Sequence, residues 1–395
     1  MAGGLKRRIG PLLLTAYGLG VMVGAGIYVL VGTVAASAGI WAPVAFLSAG
    51  VIAGLSALSY AEFATRVPEA AGAASYIEEG LGLRWLGLVC GLAVALSGMV
   101  SAAAVLRGGV GYLVGIVPLP EMAAILVLGA LLTFVAILGV LESLSLAALL
   151  TVVEVAGLLI AGWAGFSAEP AADWQSPSPP VWTGLAAATA LAFFAFIGFE
   201  DMANMTEEVK TPARTVPLGI IAALVLTTLL YAFVTTAAVR AVPAEELAAS
   251  RQPLALVWAK GSGLSPVWLS AIAVAAALNG VLAQIVMAAR VLFGLGRRHP
   301  SLAVFHRAHA RFGTPVLASL LAGAGTVTGA LLLPVDRLAD LTSTLLLAVF
   351  ALVNLALIRI KRRAPESDFR LPSWVPAAGL VTALAALAAS LWLPQ

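Results

Sequence analysis

Apolar residues in this chain come in long runs separated by short connections rich in charge, proline or glycine. Eleven runs can be drawn, at 11–38, 41–63, 86–116, 121–140, 144–166, 183–206, 216–240, 263–291, 314–333, 337–359 and 373–393. A hydrocarbon layer about 30 Å thick needs about 20 helical residues at 1.5 Å each, so every run is expected to be a membrane-crossing helix. Strands of a barrel would alternate in and out over about ten residues. The continuously apolar stretch at 346–358 does not alternate, so helices are expected throughout. The first run is too long and too glycine-interrupted for a cleavable signal, and it leads directly into the second.

Two runs carry interruptions where a regular helix should continue. The first contains GLGVMVGAGIYVLVG, with Gly24, Ala25 and Gly26 at mid-depth. Glycine there lets the backbone unwind and lets another group approach it, although a small-residue packing face reads the same way. The sixth run reads LAFFAFIGFEDMANM, where Ile197 and Gly198 break an aromatic stretch and Glu200 and Asp201 follow within the membrane. The two interruptions lie five spans apart. Five is odd, so two successive five-helix units enter the membrane from opposite sides and their breaks face one another near the midplane. Secondary transporters built from inverted repeats have this arrangement.

Composition agrees with a membrane protein. Of 395 residues 61% are hydrophobic and 10% charged, and the mean hydropathy is +1.03, against about a quarter charged in soluble domains. A soluble enzyme and a disordered chain are excluded, and the single cysteine, Cys90, excludes a disulfide scaffold. The net charge of +3 indicates no nucleic-acid partner, because the basic residues sit in clusters between spans. With the N-terminus in the cytoplasm, the inner connections hold seventeen of the 22 Lys and Arg; the outer ones hold Arg240, Arg251, Lys260 and Arg337, and Arg107 lies within the third span. That bias sets the orientation, and an eleventh span then leaves the C-terminal end outside. The location expected is the cell membrane, plasma or inner, as a multi-pass protein.

GAGIY in span one, SYAEFATRVPEAAG after span two, FFAFIGFED with EEVKTPARTVP in span six, AARVLFGLGRR leaving span eight and FRLPSWVP before the last span together resemble the amino acid, polyamine and organocation transporter superfamily. The similarity is greatest to its cationic amino acid transporter-like branch and runs over 11–393. It implies an all-α membrane fold with a leucine-transporter-like five-plus-five inverted-repeat core and discontinuous helices one and six. The chain is then one transmembrane domain, with repeats at 11–166 and 183–359 and a further helix at 373–393; the family commonly adds two helices to the core, of which one is seen here.

The resemblance also implies a site. Amides around Gly24, Ala25 and Gly26, flanked by Val23 and Ile27, would hold an α-carboxylate, and carbonyls around Phe196, Ile197 and Gly198 an α-amine. Half-helix ends carry the matching partial charges. Phe194 or Phe196 resembles the family's aromatic gate, with ordinary packing as the alternative. Glu154, central in span five, must face the bundle, find a partner or hold a proton. It is the candidate for proton coupling, although relatives often carry lysine at the similar position; a structural carboxyl bonded to a neighbouring helix is the alternative. Sodium coupling is disfavoured, since a hard cation needs oxygen ligands and residues 271–291 contain no Ser or Thr. Asn279 in that span either lines the cavity or bonds a neighbouring helix, and Glu200 either tunes the amine site or gates toward the cytoplasm, with a solvated or capping carboxylate as the alternative.

Four further readings concern the connections. Arg107 is expected to snorkel to the outer interface in preference to pairing with a carboxylate. The inner loop around Pro68, Gly72 and Tyr76 resembles the family's short cytoplasmic helix, with Ala74 where relatives often carry an aromatic. Glu207, Glu208 and Lys210 suggest a salt-bridged latch or a charged loop. His299, His306 and His309 lie among arginines that disfavour a metal cation. The function expected is secondary active transport of an amino acid by proton symport or exchange. An uncoupled facilitator or channel for a small organic cation or polyamine is the alternative. No cofactor and no obligatory protein partner are evident, and no P-loop sequence for ATP occurs; membrane lipid and protons complete the expected partners.

Overall fold

The structure, a computed structural model, describes residues 9–67, 72–139, 144–206, 209–364 and 366–392. The described chain is helical, apart from one isolated parallel bridge between Ile9 and Val209. In order, the helices are α1 (Pro11–Ala38), α2 (Ala42–Arg66), α3 (Gly72–Leu81), α4 (Arg84–Val114), α5 (Glu121–Leu138), α6 (Leu144–Ser167), the single turn α7 (Ala172–Gln175) and α8 (Trp182–Ala192). There follow α9 (Phe199–Asn204), α10 (Pro212–Ala241), α11 (Ala244–Ala249), α12 (Pro253–Ser262), α13 (Val267–Arg298), α14 (Val316–Leu332), α15 (Val335–Arg363) and α16 (Trp374–Trp392).

Nine stretches among the described residues are long and apolar enough to cross a membrane. One of them, Gly26–Arg66, joins the second half of α1 to α2, and Pro11–Gly24 and Val316–Leu332 are shorter apolar helices. Counted by chain path, these give the eleven crossings expected, with α8 and α9 sharing the sixth. Large apolar side chains such as Val127, Phe134, Val152, Leu229 and Val381 are exposed at mid-helix, where lipid would cover them. Exposed tryptophans mark the ends: Trp85 and Trp374 at one face, and Trp163, Trp182, Trp268 and Trp392 at the other, as in the aromatic belts of membrane proteins. The first face also carries Arg66, Arg84, Arg298 and Arg363 and is called the basic face below.

Because lipid is as apolar as leucine, helices in a bilayer associate through close packing and polar contacts. The α4–α13 pair is the most extensive contact. A Cβ on Gly98 would meet Met287, and one on Gly109 would strike Ala277, so glycine brings these backbones together. Buried polar groups hold the outer helices. Asn354 of α15 donates to Ser56 Oγ (3.0 Å) and accepts from Ser59 Oγ (2.6 Å) on α2. Near the basic face, fully buried Glu62 meets Arg66 at 2.6 Å and Lys361 at 2.8 Å, and accepts the Leu371 amide at 2.9 Å.

The opposite face is covered by α11 and α12. Leu247, Leu254 and Val257 are buried, and the Leu247 carbonyl lies so close to Gly32 of α1 that a Cβ there would overlap it. Arg107 differs from expectation. Its guanidinium stays half-buried, donates to Ala330 O (2.7 Å) and lies 3.6 Å from Glu121, which also binds Arg251 at 3.0 Å. A carboxylate at the start of α5 supplies a partner within reach, so pairing replaces snorkelling.

Candidate functional site

Both interruptions are present. In α1, Gly24 departs from helical geometry at φ −7°, ψ −163°. In the sixth crossing, α8 tightens into a 3-10 turn over Phe193–Phe196, Ile197 is extended at ψ 136°, and Gly198 takes φ 125° before α9 begins. That φ favours glycine, and a Cβ on Gly198 would also meet Val21 Cγ1 at 2.5 Å.

A break inside the apolar slab frees carbonyls and amides that must find partners. Tyr231 of α10 takes up one carbonyl from each break: its hydroxyl lies 2.6 Å from Met22 O and 2.8 Å from Ala195 O. The phenol has one proton for two acceptors, so one carbonyl at a time is fully satisfied. The Gly198 amide is taken up by Glu200 Oε2 at 2.9 Å, so Glu200 acts here as a cap on the second break.

The breaks adjoin one another. A Cβ on Gly26 would lie 3.3 Å from Ala195 Cα and 3.7 Å from Phe194 Cδ1. One on Gly24 would meet nothing nearer than Gly280 Cα at 3.9 Å. The bare backbone at Gly24 therefore packs toward α13 at ordinary contact distance. Val23, Ile27, Phe196 and Ile197 are buried; of Ala25 only the backbone is described. Phe196 packs edge-on against the Tyr231 ring, with centroids 5.1 Å apart.

Glu154 and Asn279 come together. Asn279 Nδ2 of α13 donates to Glu154 Oε1 at 3.1 Å, while Glu154 Oε2 is buried without a hydrogen-bond partner among the described residues. The position is level with the first break: Gly20 faces Thr151 and the Tyr28 hydroxyl faces Gly157, so α1 and α6 run parallel with Gly24 opposite Glu154. Tyr28 donates to Glu154 O (2.8 Å), and Tyr112 donates to Tyr28 O (2.8 Å) and accepts from the Leu254 amide (3.3 Å). This chain ties the second half of α1 to α6, α4 and α12.

At the basic face, a vestibule of about 540 Å³, counted with the solvent space it opens to, is lined by Glu200. Ala74, the position named at the sequence level, lines it beside Arg290 and Arg298. Gly72, with φ 51°, opens α3, and buried Tyr76 stacks on Phe63; Pro68 lies outside the described residues. Of the supposed latch, Glu207 and Glu208 also lie outside them, and the Lys210 amide donates to Ile9 O at 3.0 Å. The three histidines go to separate partners: His299 lies 3.6 Å from Glu78, His306 packs on Phe293 and His309 on Phe312.

Tyr231, Tyr28 and the Glu62–Lys361 pair are the groups that sequence reading passed over. Their only signal was a polar residue inside an apolar run, as in TLLYAFVTT for Tyr231.

The family model described as amino acid permease matches residues 9–395. Similar proteins include the branched-chain amino acid permease BcaP of Bacillus subtilis (strain 168), 30% identical over 92% of this chain and 82% of its own. The vacuolar cationic amino acid transporter 2 of Arabidopsis thaliana is 31% identical over 91% of this chain and 60% of its own. The methylthioribose transporter of Bacillus subtilis (strain 168) is 29% identical over 96% and 87%.

Proposed function

The chain belongs to the amino acid permease family, whose members are membrane transporters and not enzymes, and from that premise we propose that it moves an amino acid by alternating access, as a proton-coupled symporter or an exchanger. The observation that carries this reading is the Tyr231 hydroxyl, within hydrogen-bond distance of a carbonyl from each break at once. Two interruptions five crossings apart thus meet at one point inside the bundle.

In this reading the amides at Gly24, Ala25 and Gly26 receive the α-carboxylate. Carbonyls around Phe196, Ile197 and Gly198 receive the ammonium. Each helix-end effect contributes about 0.3–2 kcal/mol, weak enough for release. Phe194 and Phe196 wall the site, Asn279 reaches it from α13, and Glu200 caps its sixth-crossing edge. Glu154, with one oxygen held by Asn279 and the other without a hydrogen-bond partner among the described residues, takes and returns the coupling proton.

Packing supports the five-plus-five repeat, because contacts recur when each crossing is exchanged for the one five later. Helix α1 packs on α10 and α6 as α8 packs on α2 and α15, and α4 packs on α14 and α15 as α13 packs on α5 and α6. The domain then comprises repeats 11–166 and 183–359 with a further helix at 373–393. The positive bias puts the basic face in the cytoplasm, and the membrane is the cell membrane. The test is counterflow in proteoliposomes. Vesicles loaded with each of the twenty standard amino acids in turn should accumulate that labelled amino acid transiently for at least one of them, and a transmembrane pH step should alter its uptake. Linear, unsaturable flux for all twenty would reject a carrier.

A further inference from the structure

The vestibule at the basic face is built for more than passage. Arg290, Arg298, Glu200 and Tyr60 all line it. The Tyr60 hydroxyl is buried and has no hydrogen-bond partner among the described residues. Arg298 is already committed to Glu78 at 3.0 Å. Arg290 is exposed to the vestibule, with buried Asp201 within electrostatic reach. A guanidinium and a carboxylate lining one vestibule, with an unpartnered hydroxyl at hand, are complementary to a small zwitterion and not to a simple anion. The vestibule also adjoins the second break, since Glu200 lies two residues beyond Gly198.

We propose that the vestibule is a second amino acid site, in which Arg290 binds the α-carboxylate and Glu200, with Tyr60, the ammonium of a substrate in transit between the central site and the basic face. This rests on the transport reading above. The site is loaded only when the basic face is open. Its affinity therefore enters the half-saturating concentration at that face and not at the other.

The amino acid giving the largest counterflow is the probe, in proteoliposomes sorted for one orientation, with half-saturation measured from each face. Arg290→Gln should raise the value at the basic face about tenfold, the scale of one charged hydrogen bond, and leave the opposite face unchanged. Arg290→Lys should fall between wild type and Arg290→Gln. Gly294→Leu keeps every charge, and a Cβ there meets nothing within 4 Å; it fills the vestibule and should give the same one-sided rise, which decides the matter if Arg290→Gln does not fold. Arg337→Gln, exposed at the opposite face, is the charge control and should match wild type. Equal changes at both faces, or none at either, in both Arg290→Gln and Gly294→Leu overturn the proposal. A wild-type protein that exchanges no amino acid overturns the transport reading instead, and the second site with it.

Discussion

In the proposed function Glu154 is the residue that carries the coupling proton. One oxygen is bonded to Asn279, the other is buried without a hydrogen-bond partner among the described residues, and the group sits level with Gly24. Replacing it by glutamine keeps the shape and the Asn279 contact but removes the proton site. Glu154→Gln is expected to abolish uptake driven by a pH gradient while sparing exchange; an unchanged pH dependence of uptake in proteoliposomes removes its coupling role. Tyr231 has a different part. Tyr231→Phe removes the one proton that Met22 O and Ala195 O share, leaving one more buried carbonyl without a donor at a cost of about 1–3 kcal/mol. Thermal unfolding of that variant should begin at lower temperature, with a loss of exchange exceeding tenfold; wild-type values for both would show that the hydroxyl bridges nothing. Glu154 and Asn279 were each legible as polar residues in apolar runs, but their meeting was not, because helix rotation about its axis is set by partners 125 residues away in sequence. Tyr231 was passed over since tyrosine in a membrane helix ordinarily sits at the interface.

Both broken crossings are present, as read from glycine at mid-depth and from the acidic pair after Gly198. Capping, one of the readings of Glu200 from sequence, is the one its bond to the Gly198 amide shows; what the sequence did not contain was the Ile9–Val209 bridge that ties the entry of α1 to the segment after α9. Gly198→Ala must put a side chain at φ 125° and against Val21. The expected outcome is a folded-protein yield well below wild type, or folded protein without exchange, measured by gel filtration and counterflow. At the basic face, α2 and α15 are joined by a buried charge cluster. Glu62→Gln removes the only carboxylate facing Lys361 and Arg66 in that cluster, a change of the kind that costs about 3–5 kcal/mol. Chemical denaturation in detergent should find that loss, and stability equal to wild type would mean the cluster is solvated. The motif SYAEFATR was recognisable, yet its glutamate pairs with a lysine 299 positions away, beyond the reach of local pattern.

At the scale of the molecule, α11 and α12 cover one face over α1, and the vestibule lined by Glu200 and Arg290 lies at the basic face. Eleven crossings were legible because the bilayer imposes a length on every apolar run. The covering helices were not, since α11 and α12 lie in a connection too short and too polar for the same argument. The central claim is that the two breaks form one amino acid site, and ligand-induced stabilisation of the purified protein tests it most directly. A ligand that binds only the folded state raises the apparent melting temperature. Gly24→Val adds a side chain at the first break, where a Cβ already reaches Gly280 Cα of α13 at 3.9 Å. The account predicts that at least one standard amino acid stabilises wild type and that the same amino acid fails to stabilise folded Gly24→Val. Equal stabilisation of both proteins, or of neither by any amino acid, would contradict it.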